Sequence, residues 1–503
     1  MHLPIRPASA AILALVLLNC FVNNYLQAAD RWSSQRAMAR EQRLQLSEQA
    51  EADRARRAKD AEQAIAKLLT EAEANPVPEQ QVALTNLING LAALDEKLAD
   101  PLRQRLKELP APPEKVSSSA IRKWERALDK GKRDALTRTG ELLNRSITLG
   151  FHDLSYAFLL EVLRFDPDNE GVRRGLGQVK VADRWLDSYG QKMAKQGFWW
   201  DDKIGWMMPR EQARYDAGQY FDLQSKRWTT IAAANQVRAQ PGNEWVINTR
   251  NVTLHTTLDL SDAIQMANHL NGFYRGVFAA YAGFFSNGPS DYKLVMGMRE
   301  HDPLVVWIYR DEEQFRTYGL SQVTMPDWAA GFWSPSLGAS YFYKADYGSL
   351  TIMFHEFTHQ IFHVFSMQNR ATSWITEGIA VYNETPIIDG GTLSVGDADL
   401  ATRVKRHRSS ARKGSHTKLA NLLALNSASW KAANGEVVSR NYEAAGSLVW
   451  YCMEIEDRKY RADFVEFIRD SYLGKTGNRQ VWEYLGIDGA TFTQQYEAWE
   501  KSP

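Results

Sequence analysis

The sequence predicts an α+β fold: a helical N-terminal region followed, from Trp245, by a domain of mixed strands and helices. Three observations predict it. Apolar residues recur at helical spacing within 76–186, as in Val82, Leu84, Leu87, Ile88 and Leu91. Strand-like alternation then begins at Trp245–Thr249 and Val252–Thr256, and Leu304–Tyr309 is a continuous apolar run of strand length. A longer apolar run, Leu350–Phe365, reads as a buried helix and carries His355-Glu356-Phe357-Thr358-His359.

The elements follow in order. A chain of 503 residues predicts two or three domains. Its formal net charge is zero, so composition makes no case for nucleic-acid binding. Residues 1–29 read as an export signal: His2 and Arg6 precede the apolar stretch Ala8–Leu18, and Ala28-Ala29 offers a cleavage site. Leu26 fits that site imperfectly, and Leu17-Leu18-Asn19-Cys20 loosely matches a lipobox, so an uncleaved or lipid anchor is the alternative. Any membrane anchoring is expected through this terminus alone. With Cys20 removed, Cys452 has no partner, which favours bacterial export to the periplasm or beyond.

Residues 30–75 are rich in Ala, Glu, Gln and Arg and read as a solvated helix or a partly disordered stalk. Leu44, Leu46, Ile65, Leu68 and Leu69 sustain no heptad. Residues 76–186 read as helices, interrupted at Pro110-Ala111-Pro112-Pro113. Within them, Tyr156–Asn169 resembles the end of a tetratricopeptide repeat, with its Asp166-Pro167-Asp168-Asn169 turn, although Thr139 and Leu143 depart from that pattern. The helices offer a platform for a protein partner or serve as a packing subdomain. Residues 187–244 are an aromatic-rich connector, read as a small β-rich module with an aromatic core rather than a sugar-stacking surface. Residues 245–503 form the domain that holds the His-Glu motif.

On a helix, His355 and His359 share one face about 6 Å apart along the axis, where both imidazoles can grip one metal ion. Glu356 is placed to reach a water on that ion. Phe362 and Phe365 occupy the Gly and third-His positions of the metzincin pattern, which excludes that class. His363 lies about 12 Å along the axis from His355, too far to share the ion.

A second helix is predicted at Trp374-Ile375-Thr376-Glu377-Gly378-Ile379-Ala380-Val381-Tyr382, with Glu377 eighteen residues after His359. With both segments in this order, the chain resembles the gluzincin zinc peptidases, in particular bacterial peptidase MA-like members. The resemblance implies a zincin-like domain: a mixed sheet with the active-site helix, then a helical lower lobe. It implies that Glu377 completes a His355–His359–Glu377 site for Zn2+. It also implies Glu356 as general base and a donor to the oxyanion from a downstream helix, for which Tyr442 is the best candidate and His407 and His416 are weaker ones. It further places a substrate-binding edge strand before the motif helix, at Gly338–Tyr343, followed by a turn at Asp346-Tyr347-Gly348.

The aminopeptidase signature is absent, because Gly297-Met298-Arg299-Glu300-His301 matches it only superficially and lies too far upstream. The expected activity is therefore that of a zinc-dependent endopeptidase acting on protein or peptide substrates. Two alternatives stay open: an exported helical adaptor with an inactive peptidase-like domain, and a zinc hydrolase of non-peptide amides. The basic cluster Arg403, Lys405, Arg406, Arg408, Arg412, Lys413 and Lys418 reads as a solvated loop, or as a loop near the cleft that attracts anionic substrate.

Overall fold

The computed structural model describes residues 32–285, 302–323, 329–344, 348–366, 370–389, 392–394, 401–432 and 435–502. The export signal at 1–29, the segment Gly297–His301 and the turn residues Asp346 and Tyr347 lie outside the described residues. Among the described residues no helix is long and apolar enough to cross a membrane.

The N-terminal helices build their own core. Leu84, Leu87, Ile88 and Leu91 of Gln80–Leu94 meet Ala99, Leu102 and Leu106 of Glu96–Lys107, together with Trp124, Ala135 and Phe165. The segment at 30–75 is no free stalk. Its helix Arg54–Ala74 buries Ala58, Ala61, Ala64, Ile65, Leu68, Leu69 and Ala72 in that same core. Small alanines form much of this face, so charge density masked it in the sequence. The preceding helix, 32–52, docks on the C-terminal helices: Arg36 and Arg40 reach Asp463 at 2.9 and 2.7 Å, and Trp32 packs edge-on against Tyr484. The helical stretch also ends earlier than 186, because Val179–Val181 and Arg184–Leu186 pair as a hairpin.

Two further hairpins, Trp199–Asp201 with Gly205–Met207 and Gln219–Asp222 with Arg227–Thr230, form the aromatic module. Its rings pack on one another, as Trp200 does on Trp206 and Phe221 on Trp228. Trp206 is buried and Trp200, Phe221 and Trp228 are half-buried, so these rings form a small aromatic core.

The central sheet has five strands in the order Gly331–Ser334, Ala339–Tyr343, Leu304–Tyr309, Val252–Thr256, Trp245–Asn248. The two inner pairings are parallel and the two outer ones antiparallel. Ala339–Tyr343 is therefore an inner strand, not the expected edge. The turn 334–338 closes on Gly338, whose φ of 64° suits glycine, and returns Ala339–Tyr343 alongside Gly331–Ser334. Among the described residues Gly331–Ser334 is the edge beside the motif helix.

Helices Leu260–Ala280 and Gly348–Phe365 cover one face of the sheet. Phe273 of the first stacks on Phe354 of the second at 4.5 Å. A polar anchor fixes the motif helix to the strands: buried Gln360 accepts from Ser340 Oγ at 2.8 Å and donates to the Val305 carbonyl at 3.0 Å. The remaining described residues are mainly helical, including Thr402–Arg412, Gly435–Arg458, Arg461–Leu473 and Gly489–Lys501. The basic cluster is thus largely helix, not loop. Cys452 is buried and free, on Gly435–Arg458.

The second predicted helix, Ser373–Tyr382, lies against Gly435–Arg458 through two glycines. A Cβ at Gly378 would stand 2.6 Å from the Ala445 carbonyl oxygen, and one at Gly446 would stand 2.2 Å from Val381. Gly378→Ala is accordingly expected to destabilise the fold by about 1–3 kcal/mol, as overpacking does. Denaturant unfolding of the metal-free protein checks this. An unchanged midpoint would show that the helices separate without cost.

Candidate metal centre

The motif helix starts at Gly348 and runs to Phe365, with Phe357, Ile361 and Phe362 buried. That packing fixes its rotation. His355 and His359, one turn apart, then face the helix Ser373–Tyr382, and their ring centroids lie 4.9 Å apart. Glu377 points back between them. Its Oε2 lies 3.3 Å from His355 Nε2 and 3.2 Å from His359 Nε2. One ligand atom from each residue falls within 4.8 Å of the other two, a group that could hold a metal ion.

Alignment supports that reading. Glu377 Oε2 is buried, yet among the described residues it accepts no well-directed hydrogen bond. The two nitrogens are close enough for ion pairing but misaligned for donation to it. Three ligand atoms gathered this closely, with the carboxylate oxygen left without a well-directed donor, suit a shared cation. Two imidazole nitrogens and one carboxylate oxygen are a donor set that divalent metal ions accept.

The electrostatics agree. Burial pushes the Glu377 carboxyl upward, but His359 and His355 outweigh it and hold the group well below the usual carboxylate range. Burial pushes His355 down, but Glu377 and Glu384 outweigh it and raise His355 to about 10. Each group thus favours the charged form of the other.

Glu384 was not anticipated from the sequence. Only 5 % exposed, it sits just past the end of Ser373–Tyr382, with Oε1 2.9 Å from His355 Nδ1. With Nδ1 donating to this carboxylate, the neutral imidazole that a metal requires would present its Nε2 lone pair to the metal position. Arg403 occupies the other carboxylate oxygen, with Nε donating to Oε2 at 2.9 Å. One member of the basic cluster therefore braces the candidate metal centre. Buried metal-binding histidines usually need such a partner, and an acidic residue closing an apolar helix was the available signal. Glu384→Gln is expected to weaken metal affinity roughly 10–100-fold. Competition with a chelator measures it, and an unchanged affinity would remove Glu384 from the centre.

Glu356 stands outside the three-ligand group. The backbone N–H of Trp333, on the edge strand, donates to its Oε2 at 3.1 Å. Tyr442, on Gly435–Arg458, packs its ring 5.9 Å from that of His355 and edge-on to Trp430. Burial, and then the carboxylates of Glu377 and Glu356, raise its hydroxyl above the ordinary range. The structure therefore brings Glu356 and Tyr442 to the candidate ligands. His363 lies further along the helix, 5.6 Å from the Trp333 ring. His407 and His416 are not donors to this centre, because both direct Nε2 at Glu500, each at 3.1 Å.

A protein-family model described as "Protein of unknown function (DUF1570)" matches residues 349–473. The matched segment contains both histidines, Glu356, Glu377, Glu384, Arg403 and Tyr442. No curated protein and no solved structure matches the chain.

Proposed function

We propose that this chain is a zinc-dependent peptidase of the gluzincin type. One observation carries the reading: a convergent His355–His359–Glu377 group with a carboxylate, Glu356, beside it but outside the ligand set. A purely structural zinc site is usually closed by four ligands and needs no base. Bound zinc would supply Lewis acidity, polarising a carbonyl and lowering the pKa of a water.

The protein's own groups supply the rest. Trp333 N–H holds Glu356 Oε2, which orients the carboxylate and leaves Oε1 as a proton acceptor. Glu356 takes the proton from the attacking water and later delivers it to the leaving amine. Tyr442, a neutral phenol held by burial and neighbouring carboxylates, donates a hydrogen bond to the developing oxyanion. The edge strand Gly331–Ser334 offers backbone groups to an extended peptide. The N-terminal sequence supports action outside the cytoplasm.

A peptide-library digest with and without chelator tests the reading, together with metal analysis of the purified protein. Roughly one zinc per chain and chelator-sensitive cleavage are expected. Cleavage that survives complete metal removal, or a protein that binds no zinc, would refute it.

A further inference from the structure

We propose that Glu500 is a positioning residue for the metal centre, acting through the helix Thr402–Arg412. The proposal rests on the metal-site reading above. That helix carries Arg403, which grips Glu384, which in turn holds His355. Yet it buries only Val404, His407 and Ala411. Three residues, one of them polar, make a thin apolar stripe, so polar contacts share in setting its rotation.

The C-terminal helix Gly489–Lys501 supplies what the stripe lacks. Glu500 is 1 % exposed, and its two oxygens each face one imidazole: Oε2 lies 3.1 Å from His407 Nε2 and Oε1 lies 3.1 Å from His416 Nε2. Next to this pair, Arg408 Nη2 and Arg412 Nη1 donate to the Ser502 carbonyl at 3.0 and 2.9 Å. A buried carboxylate is tolerated only where its partners are held in place, so the cluster resists displacement. Arg403 and His407 are four residues apart and share one side of the helix. A rotation that breaks the Glu500 contacts therefore also withdraws Arg403 from Glu384.

The test is a double-mutant cycle in the full-length protein, read as zinc affinity by chelator competition and as the visible spectrum of the cobalt-substituted protein. Glu500→Ala is expected to weaken zinc binding roughly tenfold, the lower end for groups behind a ligand. In an Arg403→Ala background it should cost less than about twofold more, because coupled sites are non-additive. Glu500→Gln preserves shape should the alanine variant not fold, and it should give a smaller loss and an altered cobalt spectrum. Unchanged affinity and spectrum in Glu500→Gln, or fully additive losses in the cycle, would overturn the proposal. A wild-type protein that binds no zinc would instead overturn the metal-site reading itself.

Discussion

Glu356→Gln is expected to retain metal and lose peptide hydrolysis, with kcat falling roughly 10²–10⁴-fold. Glutamine has the same shape, and its amide oxygen still accepts the Trp333 N–H that now holds Glu356 Oε2 at 3.1 Å. The edge strand and motif helix keep their spacing. The ligand group does not include this side chain, so His355, His359 and Glu377 remain convergent. What disappears is the capacity to accept a proton and pass it on. Metal content and hydrolysis must be measured on the same preparation. Loss of both together would make Glu356 a ligand. Activity within tenfold of wild type would leave it without a catalytic role, whereas no hydrolysis by either protein would favour an adaptor whose peptidase-like half does no chemistry.

The parts of the site legible in the sequence are those encoded by local spacing. His355 and His359 were readable because a helix turns in under four residues, and Glu377 because its apolar helix follows at a workable distance. The strands Trp245–Asn248, Val252–Thr256 and Leu304–Tyr309 were readable for a similar reason, since alternation and length are local properties. Strand order is not local. The edge was misassigned because its identity depends on the hairpin closed at Gly338 and on where that hairpin joins the sheet. The buried faces of helices with thin or small-residue stripes were also hidden. The alanines of Arg54–Ala74 and the three buried positions of Thr402–Arg412 carry little hydrophobic signal beside many charges. Glu384 and Arg403 are joined to His355 by tertiary contacts alone, and no pattern in the chain pairs them.

Glu377→Gln should be the most damaging change to the centre itself. It keeps the side chain's volume but removes the negative charge set between two imidazoles. Metal affinity is expected to fall by more than the roughly 10–100-fold typical of groups behind a ligand, because a ligand is altered directly. The metal-free protein should respond as well, with a defined pH dependence. His355 is raised from its ordinary 6.5 to about 10, with burial opposed by Glu377 and Glu384. A folded value above the unfolded one adds stability that is complete below about pH 6.5 and disappears as pH rises through about 10. Glu377 is lowered instead, so its share is present above the ordinary carboxylate value of 4.5 and fades as pH falls. The stability difference between metal-free wild type and Glu377→Gln should therefore be widest between about pH 4.5 and 6.5 and shrink toward pH 10. Thermal unfolding of both proteins across that range measures it. A difference that grows on the alkaline side would mean that Glu377 does not stabilise a charged His355.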